Sequence, residues 1–127
     1  MSTSFDSNQG LIIVSARIEG QTGHTYARLA LDTGATSTVV RTAKLVYIGY
    51  DPAVAPERVQ VTTGSGVEFV PRLAVDRIEA LGKVRTHFPL ICHTLPPTAL
   101  VDGVLGLDFL RGQRLTLDFR KGRITLT

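Results

Sequence analysis

A chain of 127 residues is long enough to bury one core and too short for two ordinary domains. Hydrophobic residues at 43% and charged residues at 20% exclude general disorder, and a net charge of +3 is too mild to demand a polyanionic partner. The single cysteine, Cys92, excludes an intrachain disulfide, and no run approaches the about 18 apolar residues that span a bilayer as a helix.

The opening stretch MSTSFDSNQG has neither the basic start nor the apolar centre of a signal peptide. Its polar composition predicts a disordered lead-in over 1–9, followed by a single domain over 10–127, and a cytoplasmic location is the expectation. Alternation begins at Leu11 and runs to Glu19, a strand that closes in the turn Gly20-Gln21-Thr22-Gly23. Thr25 to Leu31 is the return strand and ends at Asp32. Thr38 to Val40 is a further short strand, and RTAKLVYIGY is the first stretch with helical character. Pro52 and Pro56 bracket a loop.

Between Val59 and Val70, two β-rich arms flank Gly64-Ser65-Gly66, the plainest hairpin in the chain. Another hairpin rises from Leu73 to Ala80, turns at Leu81-Gly82-Lys83 and returns through Val84 to Cys92, with Pro96-Pro97 ending it. In LVDGVLGLDFLRG a short helix is predicted from about Leu107. QRLTLDF and RITLT are two strands joined at Arg120-Lys121-Gly122. Many short strands with one or two short helices predict an all-β fold, a closed barrel or a sandwich.

Asp32 is the residue that most needs a reason. A carboxylate at the end of the apolar run Leu29-Ala30-Leu31 is costly to bury unless hydrogen bonds compensate it. Thr33 and Gly34 offer a hydroxyl and backbone N–H groups, with glycine permitting close approach. Taken alone, the tripeptide is equally well an Asx turn that caps its own loop.

Elsewhere the bland explanation is preferred. His87, Cys92 and His93 invite a metal or thiol chemistry, but neighbours in a strand point to opposite faces, so Cys92 is expected to be a small buried hydrophobe and no metal site is expected. Asp76, Asp108 and Asp118 read as surface or capping residues. GSG at 64–66 lacks the lysine and the strand-to-helix context of a phosphate loop. The tail RGQRLTLDFRKGR gathers basic residues without the aromatic interleaving of a single-strand binder, so no nucleic-acid partner is expected.

ALDTGATSTVV followed by DGVLGLDFL resembles the retropepsin-like aspartic proteases, the single-lobed relatives of pepsin, and is closer to their cellular and bacterial members than to viral ones. The likeness rests on Asp32-Thr33-Gly34-Ala35, a glycine-tipped central hairpin, and Val104-Leu105-Gly106 leading into a short helix, in that order from about Leu11 to Thr127. It implies a closed retropepsin-like β-barrel with a flap hairpin, acting as a homodimer, and an aspartic endopeptidase with no cofactor. Asp32, Thr33 and Gly34 would be catalytic, Asp32 pairing with its copy in a second subunit because the chain holds one Asp-Thr-Gly. Ala35, Thr63, Gly64, Ser65, Gly66 and Val104 would bind a peptide as an extended strand, the hairpin from Val59 to Val70 serving as the flap. The segments Leu11–Ile18 and Arg123–Thr127 would supply a dimer sheet.

Two departures stand against the viral pattern: Thr36-Ser37 occupy positions that are usually acidic there, and Phe69, well down the second arm, is the nearest aromatic to the flap tip. The alternative is a retropepsin-like dimerisation or peptide-binding module with little or no proteolysis.

Overall fold

The computed structural model describes residues 2–64, 66–95 and 99–127. In chain order the elements are β1 (Ser2–Ser4), β2 (Ile13–Gly20), β3 (Gly23–Leu31), β4 (Val39–Arg41), α1 (Thr42–Tyr47), a 3-10 turn (Pro52–Val54), β5 (Glu57–Thr63) and β6 (Gly66–Ala80). They continue as β7 (Lys83–His93), β8 (Gly103–Leu105), α2 (Leu107–Leu110), β9 (Leu115–Asp118) and β10 (Arg123–Leu126). Pro96 and Pro97, expected to end a strand, lie outside the described residues. Among the described residues no helix is long and apolar enough to cross a membrane.

Six strands close on themselves in the order β2-β3-β8-β4-β7-β6, the circle being completed by antiparallel pairing of β2 with β6 from Ala16↔Ala80 to Glu19↔Arg77. Alternation builds the interior as period-2 patterning requires. Val14, Ala16 and Ile18 of β2 and Ala27 and Leu29 of β3 are buried, while Tyr26 and Arg28 face outward. In β6 the buried set shifts by one, from Leu73 and Val75 to Ile78 and Ala80. The shift coincides with a gap in the β6–β7 ladder, which pairs Val75 with Phe88 and Arg77 with Thr86, and with His87 at a φ of 47°. Tyr50 fills the gap: its hydroxyl accepts the Asp76 N–H at 2.9 Å and donates to Asp76 Oδ1 at 3.0 Å. Withdrawal from water pushes the Tyr50 phenol up to about 12.

The paired helical turns plug the barrel, with Leu45 of α1 and Phe109 of α2 fully buried. The N-terminal half of β6 leaves the barrel and pairs with β5 alone, from Thr63↔Gly66 to Arg58↔Pro71. This is the hairpin expected at Val59–Val70, and β6 runs on from it without interruption into the next hairpin.

Two expectations need correction. Within the lead-in expected to be disordered, Ser2–Ser4 forms β1 against β10. The physical reason is Phe5, which is 9% exposed, packs edge-on against Phe119 at 5.5 Å, and donates its N–H to Gly122 O at 2.9 Å. One buried aromatic offsets the ordering of a short polar strand. The segments expected to supply a dimer sheet are also partly covered: β2 keeps an unpaired edge over residues 13–15, where it pairs with β3 alone. Over Ala16–Glu19, β2 lies between β3 and β6, and β10 lies between β1 and β9. The outer strands of that three-stranded sheet are β1 and β9.

Candidate active site

Asp32 follows the last residue of β3, where that strand runs parallel to β8 with Leu31 opposite Leu105. The pairing extends one step further, for the Asp32 N–H donates to Leu105 O at 3.0 Å. The chain then turns sharply: the Ala35 N–H donates to Asp32 O at 3.2 Å, and the Gly34 N–H donates to Asp32 Oδ1 at 2.8 Å. A Cβ on Gly34 would stand 3.1 Å from that same oxygen, so a larger residue would press on the carboxylate and displace it by a few tenths of an ångström. Asp32 is therefore partly exposed and held by its own loop, with one oxygen engaged by the backbone. Thr33 is exposed beside it and makes no side-chain hydrogen bond among the described residues.

The loop is seated on the segment that follows β8. The Leu107 and Asp108 N–H groups donate to Ala35 O at 2.9 Å and Thr36 O at 3.3 Å. In return the Thr38 N–H and hydroxyl donate to the Asp108 carboxylate at 2.9 and 2.7 Å, and the buried Thr38 Oγ1 accepts the Gly106 N–H at 3.1 Å. A Cβ on Gly106 would meet Ser37 O at 2.8 Å and Ala35 O at 2.9 Å, so no larger residue allows this contact. Asp108 was expected to be a surface or capping residue. It is the carboxylate that fixes the end of the Asp32 loop. The two segments lie 70 residues apart, and nothing local in either marks the pairing.

A cleft of about 520 Å3 runs between this loop and the β5 arm, with Ala35, Thr36 and Ser37 on one side and Val59, Val61 and Thr62 on the other. A second, almost wholly apolar cavity of about 280 Å3 shares Val39, Val61 and Ile91 with it and is otherwise walled by Leu95, Val101 and Val104. Ala35 and Val104 thus lie at these two hollows. Gly64 and Gly66 are at the exposed hairpin tip, Gly66 with φ 120°. Thr63 is the last residue of β5, and Ser65 lies outside the described residues.

Two polar side chains, Asp102 of the second motif and Arg41, meet next to residues that wall the apolar cavity. Asp102 accepts the Arg28 N–H at 2.8 Å and lies 3.4 Å from Arg41 Nε. Cys92, by contrast, behaves as expected for a core residue: it is 1% exposed, and burial pushes its thiol up to about 11. His93 points instead to Glu68 on β6, at 3.4 Å. No group of three or more metal-binding side chains occurs among the described residues.

A family model described as aspartyl protease matches residues 14–109. No curated protein sequence matches the chain. Among solved structures, a retropepsin-like aspartic protease from Rickettsia conorii is similar with a TM-score of 0.71 and 15% sequence identity, covering 99% of this chain and 88% of that one. At that identity the similarity is one of fold.

Proposed function

From the premise that the chain belongs to the aspartyl protease family and has a retropepsin-like all-β fold, we propose that it is a homodimeric aspartic endopeptidase. The observation that carries this is the Asp32 loop. It holds a partly exposed carboxylate with the Gly34 N–H, and its next residues, Ala35, Thr36 and Ser37, line a cleft of about 520 Å3 that suits an extended peptide. One chain offers one such loop, so the second carboxylate comes from Asp32 of a second copy across a two-fold axis. Thr33, exposed and without a side-chain hydrogen bond among the described residues, would then hydrogen-bond the facing loop.

In that dimer two carboxylates share one proton, because like charges so close cannot both be ionised. The ionised one takes a proton from a water held between them, and that water attacks the scissile carbonyl. The protonated one hydrogen-bonds the carbonyl oxygen as negative charge develops on it. No acyl-enzyme forms. The β5–β6 hairpin acts as the flap, its backbone groups at Thr63, Gly64 and Gly66 covering the substrate strand and excluding water. The demand for one proton per pair favours acidic to mildly acidic conditions.

The test is cleavage of an unbiased peptide library across a pH series by the wild type and Asp32→Asn, read by mass spectrometry. Cuts made only by the wild type, with a bell-shaped dependence on pH, are expected. Cleavage retained in Asp32→Asn would falsify the mechanism. A dimer that binds peptides and cuts none would instead be a peptide-binding module.

A further inference from the structure

The geometry points to Arg41 and Asp102 as a clamp that fixes one wall of the apolar cavity beside the Asp32 loop, and so to Arg41 as a positioning residue for the choice of substrate side chain. The inference rests on the protease reading and deepens it.

The register of β4 against β8 brings the two residues together. Val39 faces Val104 and Val40 faces Gly103, so the next step along the antiparallel pair sets Arg41 beside Asp102. The backbones meet directly, the Arg41 N–H donating to Asp102 O at 2.6 Å. The approach is unusually close because a Cβ on Gly103 would stand 1.8 Å from Val39 O.

One wall is Leu95, Ala99 and Val101, which belong to no strand or helix. Such a wall has no ladder of its own to hold its shape. Arg41 supplies the missing bonds: its guanidinium donates to Leu95 O at 3.3 Å and Val101 O at 3.1 Å, and its Nε faces Asp102 Oδ1 at 3.4 Å. Arg28 adds a bond to Leu100 O at 3.1 Å, and its backbone exchanges a pair of bonds with Asp102 at 2.8 and 2.7 Å. The Arg41 and Asp102 side chains are 20% and 21% exposed, so the ion pair is shielded from water over most of its surface. Only a planar fork with several donors can hold two carbonyls and a carboxylate at once; lysine, a point charge with a rotating head, cannot reproduce that set. Arg41 itself does not line the cavity. It acts through Leu95 and Val101, whose side chains do.

The experiment compares wild type, Arg41→Gln, Arg41→Lys and Asp102→Asn on peptides carrying Ala, Val, Leu or Phe at each position in turn around the cut. At the position that fills the apolar cavity, the Leu-to-Ala ratio in kcat/KM is expected to fall by about tenfold in Arg41→Gln, the size of effect that one or two buried methylenes confer. Arg41→Lys should lie between Arg41→Gln and the wild type, and ratios at the other positions should hold. An unaltered ratio, or an equal loss on every peptide, overturns the proposal. If Arg41→Gln does not fold, the lysine and Asp102→Asn variants decide by the same ratio. Binding of the same peptides to Asp32→Asn, with and without Arg41→Gln, separates the two claims. If the wild type cuts nothing, the protease reading fails while the binding ratio still reports on the wall. Binding that is indifferent to the side chain when Arg41 is present overturns the clamp.

Discussion

Gly34 donates its amide to an Asp32 oxygen that a Cβ at 34 would crowd at 3.1 Å, so Gly34→Ala is a test of carboxylate placement with little else changed. Moving the acid by a fraction of an ångström is expected to lower kcat/KM by about tenfold to a hundredfold, measured on any peptide the library assay yields, with the fold retained by circular dichroism. Thr38 is the converse case, a buried hydroxyl with two partners. Thr38→Val strands the Gly106 N–H and leaves the Asp108 carboxylate with the backbone N–H of residue 38 alone, and urea unfolding should show a loss of about 1–3 kcal/mol. For Cys92 the sign of the pH effect is fixed by the raised value. The unfolded thiol ionises near 9 and the folded one near 11, so above pH 9 the unfolded state sheds a proton that the folded state keeps. Stability contributed by the neutral buried thiol is full below pH 9 and is lost as pH rises toward 11, and Cys92→Ala should flatten that decline in thermal melts. At this scale the sequence was legible where chemistry is local. The Asp-Thr-Gly turn and the buried cysteine could be read from neighbours, whereas Asp108, Asp102 and Arg41 take their meaning from partners that only the fold brings near.

The β4–β8 pair is the element on which the site depends most. Gly103→Ala would drive a methyl into Val39 O, and since both strands are three residues long there is no length over which to spread the strain. The expected cost exceeds about 4 kcal/mol, seen as loss of the cooperative transition in urea. Hairpins were legible because each pairs neighbours in sequence through a turn rich in glycine. The β2–β3, β5–β6 and β6–β7 hairpins all fall where alternation and turn residues predicted them. What could not be read were pairings with no turn to announce them: the β2–β6 closure, the insertion of β8 between β3 and β4, and β1, whose Ser-Thr-Ser carries no strand signal apart from the Phe5 that follows. The gap in the β6–β7 ladder at Asp76 was equally hidden, because Tyr50, which fills it, comes from a different part of the chain.

For the whole molecule, an active site assembled from two identical loops has a signature that mixing reveals. When wild type and Asp32→Asn exchange subunits freely, activity is expected to follow the square of the wild-type fraction; a linear fall would show that one chain suffices. Specific activity should also drop on dilution through the dimer dissociation range. The barrel's own topology adds a consequence in time. Asp32 is synthesised well before the strand that seats it, β8, and the carboxylate that pins its loop, Asp108. Until β8 slides between them, β3 and β4 are two open edges with a gap where the barrel should be. A nascent chain halted before Gly103 therefore carries the acid without the strand that seats it, so translation itself withholds the finished Asp32 loop until β8 and Asp108 have been made.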